Sequence, residues 1–99
     1  TLMTELTIKS DQPEAVRSEL LSALENQRRM LEDSMKRTHS NLTLFEKKYN
    51  FSTYDLLQKE SKATLQDDNL EWIEWIGEAR MLDRLQSELD LLNDIQICS

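Results

Sequence analysis

Carboxylates are the residues of this chain best placed to do chemistry. Glu71, Glu74 and Glu78 follow one another at spacings of three and four, which puts them on one face of a helix. Asp67 and Asp68 stand just ahead of them. Paired carboxylates serve acid–base catalysis, or hold a metal when His or Cys completes the ligand set. Here His39 is the sole histidine and Cys98 the sole cysteine, and both lie far from the acids in sequence. The one glycine, Gly77, cannot make a phosphate-cradling loop by itself. The expectation is a protein that is not an enzyme and needs no metal or cofactor. What the acids offer instead is a negative surface beside Trp72 and Trp75, the kind of large side chain that anchors a protein partner.

The charge distribution points the same way. The net charge is −7, and residues 55–99 hold the excess, with four Lys/Arg against eleven Asp/Glu. Residues 13–54 are nearly balanced, with seven against six. Such acidity disfavours nucleic acid and favours a basic partner, although a merely solvated helix face has the same composition. With 31% charged and 38% hydrophobic residues over 99 positions, a single soluble domain is expected. No apolar run nears the ~18 residues of a membrane span, and no signal peptide is visible. Together with the single cysteine, which fits a reducing compartment, this predicts a cytoplasmic protein with no membrane partner.

The elements that must position these groups are mainly helical. Val16, Leu20, Leu24, Gln27, Leu31, Met35, Thr38, Leu42, Phe45 and Tyr49 recur in steps of three and four, which predicts one amphipathic helix over 13–49. Asp11 is the expected cap, with Pro13 in the first turn. Thr38-His39-Ser40-Asn41 is a run of poor helix formers, but the stripe keeps its register across it and the helix is expected to continue. Asn50 suits the left-handed position that ends a helix. Ser52, with Asp55 three residues on, then caps a short helix over 53–62, and Phe51 and Leu56 staple the corner.

Asp68 and Glu71 open a further long helix, expected over 69–96, with Trp72, Trp75, Ile76, Ala79, Leu82, Leu85, Leu89, Leu92 and Ile95 as its stripe. Gly77 in its middle is expected to allow close backbone approach. Before all this, residues 1–10 alternate apolar and polar, predicting a strand. A lone strand leaves its edges open, so its expected partner is the same strand of a second copy. Leu2, Leu6 and Ile8 of the strand, with Val16 and Leu20 of the helix, are therefore the expected dimerisation residues. The fold predicted is all-α: a long antiparallel helical hairpin with a short connecting helix and an N-terminal strand, forming a homodimer.

Two resemblances bear on function. The leading strand resembles the ribbon of ribbon-helix-helix DNA-binding antitoxins, which would imply operator DNA as a partner. It carries few basic residues for that task. More specifically, Phe45-Glu46-Lys47-Lys48-Tyr49-Asn50-Phe51-Ser52, followed by Leu56, an acidic pair and Glu74-Trp75, resembles a family of small prokaryotic proteins encoded beside toxin-like genes. The pattern there is usually Glu-Lys-Lys-Tyr-Gly-Met-Ser, so Asn50 and Phe51 depart from it conservatively. The resemblance spans roughly residues 45–76 and implies an antitoxin that neutralises a basic, RNA-cleaving toxin. The partner-binding residues then expected are Asp67, Asp68, Glu71, Trp72, Glu74, Trp75 and Glu78. The alternative is a scaffolding coiled-coil homodimer.

Overall fold

The computed structural model describes residues 4–7, 9–62 and 70–98. In chain order these form β1 (Thr4–Thr7), α1 (Pro13–Tyr49), α2 (Thr53–Lys62), α3 (Leu70–Asn93) and β2 (Ile95–Cys98). The chain is mostly helical, and none of the described helices is long and apolar enough to cross a membrane. The principal extents are 59 × 23 × 19 Å. The long axis is α1 itself, since its 37 residues rise about 55 Å.

α1 runs unbroken through the weak segment at Thr38–Asn41 because packing outweighs propensity there. Leu31, Thr38 and Leu42 are all buried along its inner face. Its start differs from expectation. Asp11 makes no side-chain cap; Gln12 is the N-cap, and its carbonyl accepts the Val16 N–H at 3.0 Å. Pro13 in the first turn has no N–H needing a cap.

The end of α1 follows its sequence closely. Asn50 adopts φ 49° and ψ 50°, the left-handed conformation, and the N–H groups of Asn50 and Phe51 both donate to the Glu46 carbonyl. Ser52 Oγ accepts the Asp55 N–H at 3.0 Å and opens α2. The Glu46 carboxylate reaches across the corner to accept the Thr53 N–H at 2.8 Å, capping α2 from α1.

α1 and α3 touch in opposite chain order. Lys48 meets Glu71, Phe45 and Tyr49 meet Trp75, and Gln27 and Leu31 share a groove with Leu91 and Leu92. The core sits at the α2 end, where Leu42, Leu56, Trp75, Ile76 and Ala79 are buried. Phe45, Tyr49, Phe51, Leu57, Trp72 and Leu82 pack against it.

Two expectations are corrected at the other end. The third helix does not run over 69–96: it stops at Asn93, and Ile95–Cys98 is a strand. Its last turn holds no basic residue to answer the carbonyl ends, Asn93-Asp94 favours a turn, and Ile95-Gln96-Ile97 alternates with β-branched residues. Nor is β1 without a partner in its own chain. It pairs in parallel with β2, Thr4 opposite Ile95 and Thr7 opposite Cys98. A parallel pair needs a long crossover, and the three helices supply it. Leu2 and Ile8 lie outside the described residues, Leu6 is exposed, Val16 is 38% exposed and Leu20 is half-buried.

Candidate functional site

Five of the six aromatic residues gather at the corner where α1, α2 and α3 meet. Trp75, fully buried, stacks with both Phe45 (centroids 5.7 Å apart) and Tyr49 (5.9 Å), with Phe51 edge-on at 6.3 Å. Its indole nitrogen donates to Thr53 Oγ1 at 2.8 Å. Trp72 stacks on Phe51, and the Lys59 ammonium sits 5.0 Å and 5.8 Å from the two ring centroids, a cation–π arrangement. The Trp72 indole nitrogen is buried with no hydrogen-bond acceptor among the described residues.

A charged latch closes this corner on the outside. The Lys48 ammonium donates to both carboxylate oxygens of Glu71, at 2.6 Å to Oε2, and the Tyr49 hydroxyl donates to the same Oε2 at 2.5 Å. Hydrogen bonds from Lys48 and then Tyr49 hold the Glu71 carboxyl below the usual glutamate range. The hydrogen bond to Glu71 correspondingly raises the Lys48 ammonium above its usual range.

The family-like motif therefore has a structural role at nearly every position. Phe45 and Tyr49 stack with Trp75, Glu46 caps α2, Lys48 and Tyr49 hold Glu71, Asn50 makes the left-handed turn, and Ser52 caps. The motif builds the corner.

Beside the latch lies a groove of about 610 Å³ between α1 and α3. Asn41, Leu44, Phe45 and Lys48 form one wall, and Glu71, Glu74, Gly77, Glu78 and Met81 the other. Each set repeats in steps of three and four, so each wall is one face of one helix. Each wall carries an apolar side chain open to solvent: Leu44 is 65% exposed and Met81 39%. Glu74 is exposed and Glu78 half-buried, and neither meets a cation among the described residues. Gly77 does not serve close packing as expected; a Cβ placed on it would meet nothing within 4 Å. Its missing side chain widens the groove instead.

The expected partner-binding residues thus divide. Glu74 and Glu78 face the groove, whereas Glu71 is held by the latch, Trp72 stacks at the corner and Trp75 has no exposed surface to offer. Asp67 and Asp68 lie outside the described residues. The groove's apolar residues Leu44 and Met81 went unmarked in the sequence, since a single exposed Leu or Met carries no signal until the fold places the two together. Among the described residues no three His, Cys, Asp or Glu side chains converge as a metal site would require. No family model, curated protein or solved structure matches this chain.

Proposed function

We propose that this chain is a non-catalytic binding protein that holds and silences a basic partner, in the manner of an antitoxin neutralising an RNA-cleaving toxin. The observation that carries the reading is the groove between α1 and α3, with exposed Leu44 and Met81 on its walls and two acids, Glu74 and Glu78, that have no cation partner among the described residues. A toxin grips RNA phosphates with Lys and Arg, and those side chains are complementary to this wall. The acidic excess of residues 55–99 extends the complementarity, and the resemblance of the 45–76 segment supports the same partner class. The test is co-expression with the product of the neighbouring gene: wild type rescues growth, and a Glu74→Lys, Glu78→Lys chain does not.

The working unit in this reading is a homodimer of long antiparallel helical hairpins in the cytoplasm. Val16, Leu20 and Leu24 continue the apolar stripe of α1 toward its start, where Val16 and Leu21 stay exposed. A second copy covers them. One observation favours the scaffolding alternative: the motif residues serve the corner, as they would in a purely structural protein. Charge reversal that leaves rescue intact decides for the scaffold.

A further inference from the structure

We infer that the occupant of the α1–α3 groove is a basic amphipathic α-helix of the partner, seated along the groove with a small residue over Gly77. This rests on the reading of the groove as the partner site and adds the shape of what enters it.

Three observations converge on a helix. Both walls are helix faces, so the groove is a straight trough of the kind into which a third helix packs its ridges. Its α3 wall spans Glu71 to Met81, about 15 Å at the helical rise, which accommodates two to three turns. Gly77 is the second observation. Glycine in mid-helix is unfavourable, and no neighbouring atom within this chain requires it, since its Cβ position faces open space. A helix backbone approaching from outside would use the open space that the missing side chain leaves. The third is charge. Lys48 is committed to Glu71, so Glu74 and Glu78 are left to pair with Lys or Arg on the incoming helix. Leu44 and Met81 meet its apolar side.

Other occupants fit less well. A nucleic acid would bring phosphates against the two carboxylates. A second copy docked face to face about a two-fold axis would set Glu74 and Glu78 near their own counterparts, like charge against like.

The test uses the full chain and synthetic peptides of about four helical turns. One has a Leu/Ala stripe flanked by Lys, a second has Glu in place of Lys, and a third shuffles the first so that the stripe is lost. Backbone amide shifts are followed by NMR. The basic amphipathic peptide is expected to shift Leu44, Gly77 and Met81 to saturation. Shuffling the peptide, exchanging its Lys for Glu, or introducing Gly77→Leu should each weaken binding about tenfold or more, as should Glu74→Lys with Glu78→Lys. Thermal melts of the variants check that the fold is kept. Equal binding of the shuffled peptide, shifts outside the groove, or an unaffected Gly77→Leu chain overturns the inference. So does a groove that ignores the peptide and instead shifts with the protein's own concentration, which identifies a second copy. In the rescue assay, a Gly77→Leu chain that still silences the partner while the Lys double variant fails removes the helix but keeps the acidic surface. Rescue by both removes the parent reading.

Discussion

The Trp75 indole nitrogen donates to Thr53 Oγ1 at 2.8 Å, tying α3 to the first residue of α2. Thr53 is itself held by Glu46 of α1 through its backbone N–H. One residue thereby links all three helices, and a fully buried indole has its single polar atom satisfied. The corner adjoins the groove, since Phe45 both stacks on Trp75 and lines the groove wall.

Thr53→Val keeps the side-chain shape but leaves the indole donor buried without an acceptor. It should destabilise the chain by about 1–3 kcal/mol, read as a lowered denaturant midpoint. Trp75→Ala, which empties the stack, should cost about 3–5 kcal/mol. Trp72→Phe should behave differently, because the Trp72 indole nitrogen has no acceptor among the described residues and its loss removes an unsatisfied donor. A cost of about 1 kcal/mol or less is expected there. Equal costs for Trp72→Phe and Thr53→Val would refute this division of roles.

The latch gives a pH dependence whose sign follows from the two shifts. Glu71 is depressed, so its contribution is present above the usual glutamate range and lost as pH falls through its lowered folded value. Lys48 is raised, so its contribution is full below the usual lysine range and lost as pH rises through its elevated folded value. The latch should hold across the whole interval between. Carboxyl-carbon NMR should show Glu71 titrating below an ordinary glutamate, and Lys48→Met should move that midpoint upward. An unchanged midpoint in Lys48→Met would exclude the latch.

Local signals were legible in the sequence, and non-local ones were not. The bounds of α1 and α2, the left-handed Asn50 and the Ser52 cap each follow from a few adjacent residues. The cap of α2 by Glu46 could not be read, because it needs the corner already folded. β2 was hidden for another reason. Leu85, Leu89, Leu92 and Ile95 keep a helical step, so periodicity runs past the point where the Asn93-Asp94 turn stops the helix. For the site, acidity marked Glu74 and Glu78, while for Trp75 the sequence allows core packing first and a partner anchor second, and burial makes it core.

Gly77 offers a test of stability against function. Alanine there has room, because nothing lies within 4 Å of the added Cβ. Gly77→Ala should stabilise the isolated chain by about 0.5–1 kcal/mol through helix propensity alone. A thermal midpoint lower than wild type would mean that the position is packed after all.

The proposed dimer makes its own prediction. Light scattering at micromolar concentration should return twice the monomer mass, and Val16→Asp with Leu20→Asp should halve it. Deleting residues 1–9 removes β1 and leaves β2 unpaired, but α1 and α3 keep their contacts at the corner. The helical circular-dichroism signal should therefore survive. A wild-type monomer mass would eliminate the dimer.

Charge reversal at Glu74 and Glu78 bears most directly on function. Both positions line the groove, and reversing them leaves the corner untouched, because Glu71 alone holds Lys48 and Tyr49. Glu74 is exposed and Glu78 half-buried, and substitutions outside the core usually change stability by under about 0.5 kcal/mol, so the double variant should fold. If the groove receives Lys and Arg of a toxin, four units of charge change at the wall should slow association and abolish neutralisation. The wild-type complex should also weaken as salt rises, since screening reaches about 10 Å at 0.1 M. The scaffold alternative expects the reverse pattern, with charge reversal harmless and Trp75→Ala disruptive. Co-expression rescue with the neighbouring gene product, run for both variants alongside a melting curve, separates the two. A folded double variant that rescues as well as wild type rules out the acidic wall as the gripping surface.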